Sequence, residues 1–399
     1  MFVDTMCIYT HGALGMAKGT TSGLLDEQRA QSIFKHAILD RYVMPFAEMT
    51  GSRAPDRRVV VLDGFAGRGR YPDGKPASAE LILQTSMNTP QAVIESVLVE
   101  KKLSDFKRLA EVVAEYRARG IRSEALSGNV VKYLPQVLEQ AARAPLFLFL
   151  DPCGANIPYT DLASILAGPR HGKWPPTEVL LNFSAELTRR AAGALKAGLA
   201  DHDALPVMDR TCGGDWWRQL ALDAYSASPA GNFERAAFAV VEEYAHRLAT
   251  AGDMLAVSVP VRRRVHNQPV YHLIFLSRRT HGIWVFADAV AQARHAWMRA
   301  LGPVDDDHDD ALFSFGDTVD QQIDSEQHAA QAVVATNLRA LVAGKRQVRL
   351  VADPWSVFGD RYGIATESTV RKAMRGLEQA GEITVVGKAR QLRDMTIAQ

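Results

Sequence analysis

The chain has 399 residues, of which 47% are hydrophobic and 23% charged, and its formal net charge is +1. At about 100–200 residues per domain, that is two or three domains with full cores. The composition excludes collagen-like, disulfide-scaffold and wholly disordered chains. The longest apolar runs, such as residues 145–150, fall far short of the roughly 18 residues that a membrane-spanning helix needs.

No basic stretch leads into an apolar one at the N-terminus, so no signal peptide is read. Cys7, Cys153 and Cys212 are odd in number, widely spaced and without a CxxC, which fits reduced thiols in a cytoplasm and gives no zinc site. Charge is uneven. Nine acids and no Lys or Arg lie between Asp305 and Glu326, whereas residues 330–399 hold eleven Lys/Arg against six Asp/Glu, an excess of five. An acidic stretch followed by a basic region marks a join between modules, and the basic part is where a polyanion would bind.

In chain order, residues 1–24 read as a flexible arm rich in Gly, Ser and Thr. Residues 25–49 have the apolar spacing of a helix (Ile33, Ala37, Ile38, Tyr42, Phe46). Residues 58–62, Arg-Val-Val-Val-Leu, predict a buried strand running into the Asp63-Gly64 turn. A helix is expected at 77–86, a strand at 96–99 closing on Glu100, a helix at 103–119, a strand at 123–126 and a helix at 131–142. Residues 146–150 form the most apolar strand and end in Asp151-Pro152, and the next strand is expected at 178–183. Continuous apolar strands alternating with helices predict an α/β fold on a parallel sheet covered on both faces. Ligands bind such sheets at the carboxyl ends of the strands. Asp63, Glu100, Asp151 and Asn182 should therefore line one edge.

Residues 185–250 read as a helical insertion, with Trp216 and Trp217 packing in the core. Strands at 254–261 and 270–277 follow, joined by the basic connection Arg262-Arg263-Arg264 with His266 and Asn267, and they predict an antiparallel pair at the edge of the sheet. A helix is expected at 283–300 and an acidic linker at 303–326. Residues 327–399 follow with a helix at 327–342, a strand at 347–351, a short helix at 354–360, a helix at 367–380 capped by Thr366, and strands at 383–386 and 391–397. That order looks like a winged helix. Its recognition helix would present Thr366, Ser368, Arg371, Lys372 and Arg375, and its wing Lys388, Arg390 and Arg393, to DNA or RNA. Winged helices also dock proteins, so both uses stay open.

The strongest motif is residues 59–69, Val-Val-Val-Leu-Asp-Gly-Phe-Ala-Gly-Arg-Gly. A strand delivers Asp63, and then Gly64, Gly67 and Gly69, with Phe65 among them, let the chain turn tightly beside a ligand; the glycines are needed because a Cβ would block the ligand or the backbone angle. The glycine spacing is not that of the nicotinamide fingerprint, and a P-loop Gly-Lys-Ser/Thr is absent. The motif resembles motif I of class I S-adenosylmethionine-dependent methyltransferases, especially those acting on nucleic acids. The resemblance implies a Rossmann-like sheet in which these residues hold the cofactor and Glu100 takes the ribose hydroxyls. A carboxylate can accept two donors at once. Glu100 also reads as a surface acid beside Lys101 and Lys102. Asn129 stands near the adenine amine by the same resemblance, or else caps a helix.

Asp151-Pro152-Cys153-Gly154 is similar to the (Asp/Asn)-Pro-Pro-Tyr motif of amino-group methyltransferases, whose carboxylate or amide and backbone carbonyl orient an amine. The aromatic fourth residue is missing unless Tyr159 or Phe183 replaces it. Cys153 reads as a thiol nucleophile or as a small loop residue.

Lys35-His36-Ala-Ile-Leu, residues 62–71, the 147–154 block, and residues 178–183 followed by Arg189 together resemble the three-Cys-motif partner (TcmP) family from about residue 25 to 300. The resemblance implies a methyltransferase-like domain over 25–302, found in bacteria or mobile elements and working with a radical-enzyme-like three-Cys-motif protein. In it Lys35 and His36 would approach the site from the first helix, while Asn182, Phe183 and Arg189 would face the substrate. The resulting expectation is a cytoplasmic S-adenosylmethionine-dependent methyltransferase acting on nucleic acid or a nucleic-acid-associated target, with Asp151 and Pro152 as its catalytic residues and no metal. The alternative is a non-catalytic binding protein whose methyltransferase-like domain senses a ligand.

Overall fold

The computed structural model describes residues 30–152, 157–228, 231–264, 267–301, 315–344 and 347–399. These fall into two compact units, one of residues 43–278 and one of residues 30–42 with 279–399. Helix α1 (Ala30–Gly51) supplies its first part to the latter and its last part to the former.

The 43–278 unit alternates strands and helices. In order they are β1 (Arg58–Asp63), α2 (Ser78–Met87), β2 (Val93–Glu100), α3 (Leu103–Arg117), β3 (Ser123–Ser127), α4 (Val130–Gln140), β4 (Leu146–Leu150), α5 (Tyr159–Ala167) and β5 (Thr177–Phe183). Four helices follow, α6 (Ala185–Lys196), α7 (Ala204–Cys212), α8 (Trp216–Ser226) and α9 (Phe233–Gly252), and then β6 (Leu255–Val261) and β7 (Tyr271–Ser277). The sheet order is β3-β2-β1-β4-β5-β7-β6. The first five strands run parallel, and β7 is antiparallel to both its neighbours. This is the Rossmann-like, class I methyltransferase sheet with the antiparallel edge pair expected from the sequence.

Burial on both faces explains the strand sequences. Every residue of β4, Leu-Phe-Leu-Phe-Leu, is buried. On one face Leu146, Leu148 and Leu150 join Val60, Leu62, Leu181 and Ile274 in a core shared with Leu134 of α4, Leu162 of α5 and Tyr244 of α9. On the other, Phe147 meets Phe46 of α1 with ring centroids 5.5 Å apart. A strand between two helical layers has no polar face, so alternation disappears.

Helix α5 has no counterpart in the sequence reading. Only nine residues long, it buries just Leu162, Ile165 and Leu166, too few repeats to stand out by periodicity. The paired tryptophans divide. Trp217 is buried, and its indole N–H donates to Asp209 Oδ1 at 2.9 Å. Trp216 is half-buried, with the Arg247 guanidinium 4.3 Å from its ring centroid.

The other unit contains α10 (Thr280–Ala300), α11 (Phe315–Val342), β8 (Val348–Arg349), α12 (Pro354–Phe358), α13 (Glu367–Gln379), β9 (Thr384–Val386) and β10 (Thr396–Ala398). The three short strands form an antiparallel sheet in the order β8-β10-β9. Trp284, Val334, Leu338, Phe358, Leu377 and Ile397 fill its core.

Helix α11 starts at Phe315, so the later part of the stretch read as an acidic linker is helical. Its acids alternate with the buried Val319 and Ile323. Asp320 pairs with Arg299 (2.8 Å) and Glu326 with Arg294 (2.9 Å). Neither Arg is adjacent in sequence, so a run of acids looked like a solvated linker. Among the described residues no helix is long and apolar enough to cross a membrane. Residues 1–24, Cys153, Gly154, His266 and Asp305 to Asp310 lie outside the described residues.

Candidate functional site

The carboxyl ends of β1, β2, β4 and β5 lie along one edge of the sheet, as parallel pairing requires. Asp63 is level with Phe149 of β4, and Leu150 with Leu181 of β5, so Asp151 and Asn182 emerge side by side.

The turn after β1 is held at several points. Asp63 is buried, and its Oδ1 accepts the Phe65 N–H at 3.0 Å, which closes an Asx-type turn. The Gly64 N–H donates to Phe149 O at 2.9 Å and the Ala66 N–H to Val99 O at 2.9 Å, so the turn is stitched to the strands on either side. A Cβ on Gly64 would come within 2.9 Å of Leu150 Cδ2 and 3.0 Å of Val130 Cγ2. Glycine lets the chain leave the strand there without displacing either side chain. Gly67 differs. Its φ is +59°, and a Cβ built on it meets no atom within 4 Å. The Gly67 backbone therefore borders open space. Gly69 closes the turn, its carbonyl accepting the Ala77 N–H at 3.0 Å.

Glu100 clamps this turn, a role the motif did not disclose. Its Oε2 accepts the Gly67 N–H at 2.9 Å and its Oε1 the Lys102 N–H at 2.7 Å. The half-buried carboxylate thus gathers two amides from different loops. Each oxygen keeps acceptor capacity, because a carboxylate has about four lone-pair sites. Arg68, beside Gly67, bonds Asp105 Oδ1 at 2.8 Å. Burial pushes the Asp105 carboxyl up, and bonds from Arg68 and Lys102 outweigh it, so the group is held below its ordinary range.

Asn129 is exposed, and its Oδ1 accepts the Val131 N–H at 3.1 Å as the N-cap of α4. Of the two readings open for it, the cap is the one the geometry satisfies. Next to it, the Tyr133 hydroxyl donates to Ser127 O at 2.5 Å and closes the end of β3.

At the end of β4, Asn182 Nδ2 donates to Asp151 Oδ1 at 2.6 Å, and Pro152 is buried. Asn182 itself is buried within β5. Phe183 requires a correction. It is fully buried against Tyr244, with ring centroids 4.6 Å apart, so it offers no face to a substrate. Its position at a strand end looked accessible, but α9 covers it. Tyr159, the other aromatic considered, is half-buried, flanks Tyr244 at 5.9 Å and donates its hydroxyl to Arg247 O at 3.2 Å.

Arg189, in α6, donates Nη1 to Pro269 O at 2.6 Å, and burial lowers its pKa from the ordinary value. Two further groups were not singled out from the sequence. His272 of β7 is buried, shares a hydrogen bond of 3.1 Å with Ser258 Oγ and is pushed down to about 3, first by burial and then by Arg262 and Arg189. Arg170 is buried and satisfied by Thr177 Oγ1 (2.7 Å) and the carbonyls of Ala141 (2.8 Å) and Ala144 (3.1 Å). Neither has a local sequence signal, because their partners are distant in the chain.

Lys35 and His36 belong to the other unit, on α1, where His36 is buried and Lys35 half-buried. In that unit α13 carries Arg371, half-buried, and Lys372 and Arg375, both exposed, with Lys388 and Arg390 also exposed. Thr366 is buried as the cap of α13, accepting the Thr369 N–H at 3.2 Å, and so is not on a recognition surface. Among the described residues no group of three His, Cys, Asp or Glu could hold a metal ion.

No protein-family model matches the chain, and no curated protein matches it significantly. Among solved structures it is similar to protein LPL1258 from Legionella pneumophila, at 10% identity and a TM-score of 0.36 over 63% of this chain and 85% of that one. It is similar to the O-methyltransferase TomG from Streptomyces achromogenes, solved with S-adenosylmethionine, at 18% identity and 0.31 over 64% and 93%. A third is the pyocyanin biosynthetic protein PhzM, at 13% and 0.26 over 59% and 54%. The strand order and the antiparallel direction of β7 are those of a methyltransferase-like fold.

Proposed function

We propose that this chain is a cytoplasmic S-adenosylmethionine-dependent methyltransferase acting on nucleic acid or a nucleic-acid-associated target, with a three-Cys-motif protein as its working partner. The observation that carries the reading is the edge built by Gly64, Gly67, Glu100, Asp151 and Asn182 on a sheet of this order. The residues fit the cofactor: the Gly67 backbone borders open space, and Glu100 retains acceptor sites beside it.

Bound there, the cofactor would supply an electrophilic methyl group on a sulfonium centre. The chain's own part is binding and positioning. The backbone of Asp63, Gly64, Phe65, Gly67 and Gly69 would hold the methionine portion, and Glu100 the ribose hydroxyls. Asp151 and the Pro152 carbonyl would accept hydrogen bonds from the acceptor group, while Asn182 holds the Asp151 carboxylate in place. Such orientation supplies up to about 7–11 kcal/mol of barrier lowering in well-arranged systems. Residues 327–399 would act as a winged helix, with Arg371, Lys372 and Arg375 against phosphates. Substrate-side roles for Lys35 and His36 rest on the family resemblance alone.

Calorimetric titration of the full chain and of Gly67→Arg with S-adenosylmethionine tests the cofactor site. Saturable binding lost in the variant supports it, and no binding by the parent chain refutes it. Transfer of labelled methyl into a lysate, sorted by nuclease and protease sensitivity, identifies the acceptor class. The burial of Phe183 favours a second reading, a non-catalytic ligand sensor, because a base-methylating enzyme needs an aromatic shelf beside Asp151. Cofactor binding without transfer to any fraction would select that reading.

A further inference from the structure

The connection between β6 and β7 is basic, and the topology puts it on the same edge as Asp151. Because β7 runs antiparallel to β5, it begins where β5 ends, with His272 level with Phe183, and Val261 at the end of β6 is level with Tyr271. Strands lie about 4.8 Å apart, so β7 is about 10 Å from β4, two spacings along the edge. The hairpin is fixed there. The Val270 N–H donates to Val261 O at 2.8 Å, the Glu186 N–H to Val270 O at 3.1 Å, and Arg189 Nη1 to Pro269 O at 2.6 Å.

Four guanidinium groups share this corner with two carboxylates. Arg262 pairs with Glu234 at 2.9 Å and Arg263 with Glu186 at 2.9 Å. Arg189 is tied to a neutral carbonyl. Burial lowers its pKa, Glu186 and Glu234 oppose that, and Arg262 and Arg263 add to it. Arg264 is exposed and has no ion pair among the described residues. The corner is therefore cationic, and rigid at its root.

We propose that Arg262, Arg263 and Arg264 bind the phosphate backbone of a nucleic-acid acceptor and lay the strand across the edge beside Asp151. The inference rests on the methyltransferase reading and names its substrate-holding surface. Arginine forks suit phosphate oxygens, and three successive arginines at a chain reversal suit a ligand that repeats one charge per nucleotide. An acidic peptide would compete with Glu186 and Glu234 as one carboxylate against another and gain little by the exchange.

The test uses the full chain, with single-stranded DNA and RNA 20-mers followed by fluorescence anisotropy from 50 to 200 mM salt. Arg263→Ala/Arg264→Ala should weaken binding about tenfold at 50 mM and make the log–log salt slope shallower by about 1.4, two phosphate contacts at about 0.7 each. Arg143→Ala, an exposed arginine ahead of β4 on the opposite edge, should change neither. An unchanged slope in the double variant overturns the proposal. So does an equal loss in Arg143→Ala, absence of binding by the parent chain, or equally tight, arginine-dependent binding of a polyglutamate peptide. Titration with S-adenosylmethionine on the same proteins separates the two readings. Cofactor binding with an unchanged salt slope defeats only the phosphate surface, whereas an arginine-dependent slope without cofactor binding defeats only the methyltransferase.

Discussion

Two strand ends on one sheet edge hold their carboxylates differently. The turn after β1 is held by backbone: Gly64 and Ala66 donate to neighbouring strands, Asp63 accepts from Phe65, and Glu100 gathers the Gly67 and Lys102 amides. At the end of β4 the Asp151 carboxylate accepts from a side chain, the Asn182 amide, at 2.6 Å. A binding cradle and an orienting group make different demands. The first must keep its shape through many bonds, and the second must aim one carboxylate. Substitutions at the two strand ends should therefore fail differently.

The largest contrast is expected at Asp151. Asp151→Ala should lower methyl transfer by about a thousandfold or more, because positioning is most of what the residue contributes, while cofactor affinity stays within a few-fold. A parallel loss of affinity, measured by calorimetry, would erase the distinction between the two strand ends. Glu100→Gln should show the reverse. An amide has one acceptor oxygen and no charge, so one of the two gathered N–H groups loses its partner. Cofactor affinity should fall about thirtyfold, about 2 kcal/mol for a charge-assisted bond. Affinity within twofold of the parent would mean that Glu100 shapes nothing the cofactor feels.

Asn182→Ala sharpens the comparison further. It removes the Asn182 hydrogen bond to Asp151 while keeping the carboxylate, so kcat should drop about tenfold while cofactor affinity is unchanged, and Asn182→Asp should not rescue it, because a carboxylate cannot donate to another. An unaltered kcat in Asn182→Ala would dismiss the pair as incidental.

A further effect concerns pH. Burial, then Arg262 and Arg189, hold the His272 pKa at about 3, whereas it is near 6.5 in the unfolded chain. Between those values the unfolded state binds the extra proton, so stability is complete above about pH 6.5 and falls with acidification by up to about 1.4 kcal/mol per pH unit. His272→Gln, which keeps a partner for Ser258, should lose less stability between pH 7 and 5 in urea titrations. Equal losses in the two proteins would show that His272 does not govern the acid sensitivity of this corner.

The legibility of these features follows their range along the chain. Strand β4 was readable because five consecutive apolar residues have one stable use, and Asp63-Gly64 because a buried strand must turn. The start of α11 was not, since the arginines that neutralise its acids, Arg294 and Arg299, lie on another helix. Phe183 was misjudged for a related reason. Its strand-end position is local, but the ring of Tyr244 that covers it arrives from α9.

The sequence by itself determined the alternation of strands and helices, the acid-tipped strand ends and the basic hairpin, because periodicity and turn chemistry act over a few residues. Tertiary structure alone decided that β7 inserts between β5 and β6, that Glu100 clamps the Gly67 amide, and that three arginines share an edge with Asp151. Those outcomes depend on pairings between distant segments. Burial and hydrogen-bond satisfaction select them only once the whole sheet has formed.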